Sequence, residues 1–242
     1  MAADISIIVP VYNEADNILP MAREVAAAMD KQSQSYELVF VDDASMDATP
    51  EQIGVARKQD RRVRGLRHER NSGQSAAVWT GIQATSGRII ATLDGDLQND
   101  PADLPRMLAE LSNADFICGK RLKRNDTFVR RISSQIARWF RTRALKADFQ
   151  DTGCAIRVFK REAIEGILPF NGLHRFLPIL VHANGSRTLE VPVNHRPRVA
   201  GVSKYGVWNR IWRGIYDLIG VGWYIKRRLK PVPSEEITPS PS

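Results

Sequence analysis

Ala91-Thr92-Leu93-Asp94-Gly95-Asp96-Leu97-Gln98-Asn99-Asp100-Pro101 is the stretch from which the fold is read. With Ile89 and Ile90 before it, the apolar run predicts a buried strand. The strand ends on a carboxylate, a glycine and a second carboxylate. Two hard oxygen donors one residue apart at a strand end suit a divalent cation, Mg²⁺ or Mn²⁺. Gln98 adds a third, neutral oxygen, and Gly95 lets a ligand approach the backbone. Asp100-Pro101 opens a helix, because proline suits the first turn. The same letters also make a plain strand-to-helix turn, and an isolated Asp-x-Asp does not decide between the two.

Outward from this point the chain alternates. Strands are expected over 5–9, 36–41, 63–66, 114–119, 155–159 and 188–193. Helices are expected over 16–29, from Thr49-Pro50-Glu51 onward, from Asn71-Ser72-Gly73-Gln74-Ser75 to near Gly87, from Pro101 to about Leu111, and over 161–167. Residues 172–178 form a turn into another short helix. Strands alternating with helices mean βαβ units, hence an α/β fold with a mainly parallel sheet flanked by helices. Such sheets bind ligands beyond the carboxyl ends of their strands. Here that edge carries Glu14, Asp42, Asp43, Asp94 and Asp96, and this convergence makes the domain an enzyme candidate. Neither G-x-G-x-x-G nor G-x-x-x-x-G-K follows the first strand, which argues against a dinucleotide or P-loop site.

A chain of 242 residues with 43% hydrophobic content can bury one full core. Its net charge of +8 points to an anionic partner: phosphate, nucleic acid or a membrane surface. Cys118 and Cys154 are the two cysteines, and a reducing compartment fits them. Met1-Ala2-Ala3-Asp4 lacks a basic and apolar leader, so no secretory signal is expected. No run approaches the ~20 apolar residues that span a bilayer.

The charge is clustered. From Lys120 to Lys146 ten cations face one acid, Asp126, and Ile132, Ile136, Trp139, Phe140 and Leu145 recur among them at roughly helical spacing. This reads as a basic amphipathic helix on an anionic membrane; a solvated face and a nucleic-acid patch are the alternatives. The donor-rich loop over 194–205 includes Arg198 and Lys204, cations suited to a diphosphate. His174 and His195 stand alone and read as structural histidines. Residues 207–230 form a second amphipathic candidate, with Trp208, Trp212, Trp223 and Tyr224 for an interface and Arg210, Arg213, Lys226, Arg227 and Arg228 for headgroups. A helix packed against the domain is the other reading. Residues 231–242 read as a disordered tail.

Five motifs taken together resemble a family 2 glycosyltransferase of the GT-A, Rossmann-like fold, and more narrowly the dolichyl/polyprenyl-phosphate mannosyltransferase-like synthases. They are Pro10-Val11-Tyr12-Asn13-Glu14, the segment from Val41 to Thr49, Asp94-Gly95-Asp96-Leu97-Gln98-Asn99-Asp100-Pro101, Asp151-Thr152-Gly153-Cys154 and Gly201-Val202-Ser203-Lys204. The resemblance divides the chain into a glycosyltransferase domain over 1–206, an interfacial helix over 207–230 and the tail. It implies that Pro10, Tyr12, Glu14, Val41 and Asp43 hold the nucleoside of a sugar nucleotide. Asp94, Gly95, Asp96 and Gln98 would surround the metal and diphosphate, with Arg121, Arg198 and Lys204 reaching phosphate or sugar. Arg130, Arg131 and Ser134 match the stretch that binds the acceptor lipid phosphate, and Asp151 lines the active site, so Asp96, Asp151 and Arg121 are the catalytic candidates. Two departures stand out: Arg138 replaces a common asparagine, and the transmembrane helices of many bacterial relatives do not follow, which leaves room for a membrane-protein partner.

The implied reaction is an inverting transfer from GDP-mannose or a UDP-sugar to polyprenyl or dolichyl phosphate, by a protein attached peripherally to the cytoplasmic face of the membrane. A phosphate monoester, with a second pKa of about 6, is already anionic at neutral pH and needs no strong base. A sugar or protein hydroxyl acceptor would need one, and Asp151 would be the candidate. A nucleic-acid-binding protein would use the +8 charge but leave the acidic strand ends unexplained.

Overall fold

The computed structural model describes residues 3–121, 148–197 and 207–229, except for the side chains of 207–215. The basic stretch from 122 to 146, Arg198, Lys204 and the tail lie outside these residues. In chain order the elements are β1 (Ile5–Val11), α1 (Ala15–Met29), β2 (Tyr36–Asp42), α2 (Thr49–Gln59), β3 (Val63–Arg67), α3 (Gln74–Gln83), β4 (Ile89–Thr92), α4 (Leu104–Ala109), β5 (Phe116–Arg121), β6 (Arg157–Lys160), α5 (Leu173–Ala183), β7 (Thr188–Val193) and α6 (Val207–Arg227).

The strands form one seven-stranded sheet in the order β3-β2-β1-β4-β6-β5-β7. Pairing is parallel from β3 through β4 and again between β5 and β7. β6 alone runs against its neighbours β4 and β5. The expected mainly parallel sheet is therefore present, with one reversed strand near its centre. β1 is buried on both faces, as parallel strands under helices are. Ile5, Ile7, Val9 and Val11 join Ile18, Met21 and Val25 of α1 on one side, while Ile8 joins Ala77, Val78 and Ile82 of α3 on the other. Gly81 permits that second contact, since a Cβ there would lie 2.5 Å from Ile8 Cγ2.

Three helices differ from their sequence outlines, each for a local reason. α3 stops at Gln83 rather than near Gly87. The Arg161 guanidinium donates to the carbonyls of Ile82 and Gly87 and to Thr85 Oγ1, capping the orphan C-terminal groups. The helix expected over 161–167 is a 3-10 turn, Arg161–Ile164, cut short before Gly166 at φ 71°. The helix from Pro101 is split into a 3-10 turn, the short α4 and a second 3-10 turn, with Pro105 at the start of α4.

α6 docks by one face. Val221 is buried, with Leu218, Tyr224 and Ile225 packed in the same cluster. The Tyr224 hydroxyl accepts from Leu168 N at 3.2 Å and donates to Gly166 O at 3.3 Å, and Arg228 Nη2 donates to Ala183 O. The opposite face leaves Tyr216, Ile219 and Trp223 exposed, at 79%, 68% and 65%. Of the two readings of this stretch, an interface helix or a helix packed against the domain, packing is observed for the Val221 side. Tyr224 and Arg228 fall on the packed side. No helix among the described residues is long and apolar enough to cross a membrane.

Candidate active site

Parallel strands deliver their carboxyl ends to one edge, and the loops there carry most of the residues singled out from sequence. Val11, Asp42 and Arg67 lie level at the ends of β1, β2 and β3. Arg121 ends β5 beside Val193. Three non-glycine residues among those described have positive φ: Asn13 (53°), Ala44 (63°) and Leu97 (59°). They sit in the loops after β1, β2 and β4. Left-handed backbone is costly for such residues and persists where the surroundings hold it, most often at functional sites.

The first two loops brace each other. Ser45 Oγ accepts from Asn13 N at 2.8 Å, Asn13 Oδ1 accepts from Met46 N at 2.8 Å, and Thr49 Oγ1 accepts from Glu14 N at 2.9 Å. This places Pro10, Tyr12, Glu14, Val41 and Asp43 around one corner of the edge. Asp43 is buried and ties in a third loop. Its Oδ1 accepts from Ser72 N at 2.8 Å and meets His68 Nδ1 at 2.7 Å, while Oδ2 accepts from Gly73 N at 2.7 Å. His68 Nε2 continues to Thr80 Oγ1 at 2.9 Å. Sequence reading did not single out His68, because nothing near it in the chain has a partner's spacing.

Asp94 and Asp96 follow β4. Gln74 Nε2 donates to Asp94 Oδ1 at 2.6 Å, and Asp96 Oδ1 accepts from Gln98 N at 3.2 Å. Burial and then the Asp96 carboxylate push the Asp94 carboxyl up to about 6. The Asp96 charge acting on Asp94 is one that a divalent cation would relieve, and with the Gln98 amide oxygen the two carboxylates are hard ligands of the right kind. Among the described residues no group of three or more His, Cys, Asp and Glu side chains is placed to hold a metal, so this pair with Gln98 is the candidate. Gly95 is required sterically, since a Cβ there would lie 2.6 Å from Val11 Cγ1 and 3.2 Å from Pro10 O.

The cost of Asp94 has a sign that can be checked. Its carboxyl is raised in the folded protein from 3.8, so its favourable contribution is present below pH 3.8 and lost as pH rises through about 6. Metal-free Asp94→Asn, which keeps an acceptor for Gln74, should therefore melt about 2–4 °C above wild type at pH 7.5, as roughly 1 kcal/mol does in a chain of this size. Near pH 4 the two should converge. An equal difference at both pH values, by scanning calorimetry, would refute the electrostatic origin.

Arg121 and Asp151, two of the catalytic candidates, hold each other. Arg121 Nε and Nη2 donate to Asp151 Oδ2 and Oδ1, each at 2.7 Å, in a fork with Asp151 only 5% exposed. Glu190 on β7 supports this from behind by accepting from Gln150 N and Asp151 N. Gln98 is joined to the 194–197 segment by its carbonyl, which accepts from Arg196 N at 2.9 Å, while Asn99 pairs with His195. Arg198, Lys204, Arg130, Arg131 and Ser134 lie outside the described residues.

One buried cation escaped the sequence reading. Arg157 is 4% exposed at the start of β6, level with Thr92 of β4 and Cys118 of β5. Its Nη2 donates to Thr152 O at 3.1 Å, its Nε has no hydrogen-bond partner, and burial lowers its pKa. Arg157 lines a cavity of about 200 Å³ with Asp94, Gln74, Gly153, His174 and Arg175. His174 is, as expected, a satisfied histidine: its Nδ1 meets Ser75 Oγ at 2.6 Å, and burial holds its pKa down to about 3.

The family model described as Glycosyl transferase family 2 matches residues 6–168. The chain is 38% identical over 237 residues to dodecaprenyl-phosphate galacturonate synthase of Rhizobium johnstonii, covering 94% of this chain and 69% of that protein. It is 34% identical over 217 residues to undecaprenyl-phosphate 4-deoxy-4-formamido-L-arabinose transferase of Aeromonas hydrophila, covering 89% and 66%. The chain thus spans about two thirds of the length of these relatives. Glucosyl-3-phosphoglycerate synthase from Mycobacterium tuberculosis, with Mn²⁺, UDP and phosphoglyceric acid, superposes with a TM-score of 0.68 at 17% identity, covering 95% of this chain and 80% of that one. Mannosyltransferase PcManGT from Pyrobaculum calidifontis, with GDP-Man and Mn²⁺, gives 0.65 at 19%, covering 96% and 66%. At these identities the two structures establish a shared GT-A fold.

Proposed function

The chain belongs to glycosyl transferase family 2, and from that premise we propose that it transfers one sugar, with inversion, from a nucleoside-diphosphate sugar to a polyprenyl phosphate. Family membership decides for an enzyme over the nucleic-acid-binding alternative. The observation that carries the donor half is the gathering of the β1, β2 and β4 loops around Asp94 and Asp96 at one sheet edge. The acceptor half is supported by the two relatives, whose names specify dodecaprenyl and undecaprenyl phosphate.

In this reading Pro10, Tyr12, Glu14, Val41 and Asp43 would form the nucleoside corner. Asp94, Asp96 and the Gln98 amide oxygen would hold Mg²⁺ or Mn²⁺, which when bound offsets negative charge on the leaving diphosphate. Arg198 and Lys204 would meet the same charge from the opposite side. The acceptor phosphate oxygen attacks the anomeric carbon as the bond to the diphosphate breaks, and Arg130, Arg131 and Ser134 would orient it. Asp151 accepts both donors of the Arg121 fork. That engagement suits it to fixing Arg121 beside the reacting sugar better than to taking a proton, and so favours a phosphate acceptor over a hydroxyl one. Mixing radiolabelled UDP- and GDP-sugars with undecaprenyl phosphate and Mn²⁺ tests the reading: label should enter the lipid phase. Transfer to a soluble sugar or peptide instead would overturn the acceptor assignment.

Arg131→Ala should raise the KM for lipid phosphate at least 10-fold, because a charge-assisted contact to phosphate is lost, and leave nucleotide affinity unchanged. Equal loss of both, by separate titration and lipid-dependent kinetics, would move Arg131 to the donor site.

The exposed face of α6 suits a lipid surface. Tyr216, Ile219 and Trp223 recur at helical spacing, and the exposed Lys226 and Arg227 continue that face. Arg228 is tied to Ala183 and is left out of the surface set. The variant Trp223→Ser/Lys226→Gln/Arg227→Gln should shift from pellet to supernatant with anionic vesicles. Each cation near such a surface contributes about 1 kcal/mol. Wild type that never pellets at low salt would refute the membrane assignment.

A further inference from the structure

We propose that Asp217 of α6 is a positioning residue for sugar transfer: it holds Arg175 in the wall of the cavity behind Asp94, where the transferred sugar would sit. The inference deepens the transfer reaction proposed above and rests on it. Asp217 is the one acid between 207 and 230, a stretch otherwise charged only by arginine and lysine. An acid turned toward an anionic lipid surface would be repelled by it. Asp217 faces the other way. It falls at helical spacing with Val221, Tyr224 and Arg228, which pack on the body, and its side chain is 16% exposed.

Its partner is Arg175, in the first turn of α5. Asp217 Oδ2 lies 3.2 Å from Arg175 Nη2. Arg175 Nε is enclosed in the body. A guanidinium is planar, so an enclosed Nε and an Nη2 held by a carboxylate together fix the plane in which it lies. The same arginine lines the cavity with Asp94, Gln74, Arg157 and His174. Its charge is answered by Asp217, so Arg175 serves there as a fixed polar wall for sugar hydroxyls rather than as a counter-ion.

Gly172 lets the two helices meet. At φ 106° it turns the chain into α5, and a Cβ there would lie 3.1 Å from Asp217 Oδ2 and 3.7 Å from Arg175 Nη2. The same turn is bound to α3: Ser75 Oγ accepts from Gly172 N at 3.0 Å and meets His174 Nδ1 at 2.6 Å. Ser75 follows Gln74, whose Nε2 donates to Asp94 Oδ1 at 2.6 Å. The carboxylate on α6 thus ends a run of contacts that starts at the proposed metal ligand. The cavity is only about 200 Å³, so a swing of Arg175 would change how a sugar ring lies in it. Misplacing a reacting group by about 1 Å can cost about 10²-fold in rate.

The test uses the full chain with Mn²⁺, undecaprenyl phosphate in phosphatidylglycerol vesicles, and labelled UDP-glucose, UDP-galacturonate and GDP-mannose. Asp217→Asn keeps the size and removes the charge. Its kcat should fall about 10-fold or more. Calorimetric affinity for UDP and GDP, and pelleting with the vesicles, should stay within about 2-fold of wild type, because Asp217 touches neither nucleotide nor lipid. Asp217→Glu should recover kcat to within about 3-fold of wild type, since it restores the charge that holds Arg175. The melting temperature of Asp217→Asn should fall by no more than about 4 °C, as loss of a partly exposed pair does. Arg175→Gln should lose as much turnover as Asp217→Asn, and adding Asp217→Asn to it should cost nothing further.

Wild-type turnover in Asp217→Asn would overturn the inference and leave the pair as a tie between two helices. Equal losses in Asp217→Asn and Asp217→Glu with a large fall in melting temperature would make Asp217 structural. Losses that multiply in the double variant would mean that Asp217 does not act through Arg175, and would also overturn it. In each of these cases wild type still transfers sugar, so the transfer reading stands. If wild type binds UDP or GDP but transfers no sugar to the lipid, or binds neither, that reading fails and takes the inference with it.

Discussion

Asp96→Ala should reduce sugar transfer by about 10³-fold or more while the protein still folds. Asp96 lies in the loop after β4, and the bond it accepts from Gln98 N at 3.2 Å is a turn contact that a small side chain can forgo. Its proposed work is at the leaving diphosphate, where removing one preorganised electrostatic partner typically costs about 10²–10³ in rate. Losing a ligand to a divalent cation should cost more. Three readings separate catalysis from folding: turnover with undecaprenyl phosphate, Mn²⁺ affinity in the presence of UDP, and the melting temperature. Full activity, or full activity of wild type in excess chelator, would remove the metal from the scheme. Loss of activity together with a large fall in melting temperature would make Asp96 a structural residue.

Arg121→Met should be the most destabilising single change at the site, by about 3 kcal/mol. The buried Asp151 carboxylate loses a two-pronged partner, and breaking a buried pair on one side typically costs 3–5 kcal/mol. Replacing both partners, Arg121→Met with Asp151→Leu, should recover most of that loss, because an apolar pair needs no counter-charge. Transfer should remain absent in the double variant if the pair also serves the reaction. Denaturant melts of the two single variants and the double variant give the coupling directly. A double variant that regains transfer would confine the pair to structure. A single variant as stable as wild type would mean the remaining contacts of Asp151 suffice.

The alternation of apolar runs with helix openings is enough to specify an α/β sheet with one functional edge. Buried strands must be apolar, and the polar residues that end them must lie where the chain leaves the sheet. For that reason Glu14, Asp42, Asp43, Asp94 and Asp96 could be gathered on one edge from their positions alone. Side-chain partnerships were not legible in this way. Asp43 with His68, Asp94 with Gln74, Arg121 with Asp151 and Ser75 with His174 are each made between segments 20 to 99 residues apart. Such pairs depend on how helices lie on the sheet.

Arg157 shows the limit most clearly. The rule that ligands gather at carboxyl ends of strands passes over the beginning of a strand. β6 is antiparallel to β4 and β5, so its first residue reaches the edge where the other strands finish. Strand direction is set by hydrogen-bond pairing across the sheet, and no local pattern around Arg157 encodes it. The same holds for α6. Its amphipathic composition determined that one face must be covered, but only packing of Val221, Tyr224 and Arg228 against the body decided which residues remain for a surface. The sequence by itself determined the sheet, its functional edge and the carboxylates on it, because these follow from local burial; the tertiary structure alone decided the partners and the reversed strand, because these are set by contacts distant in the chain.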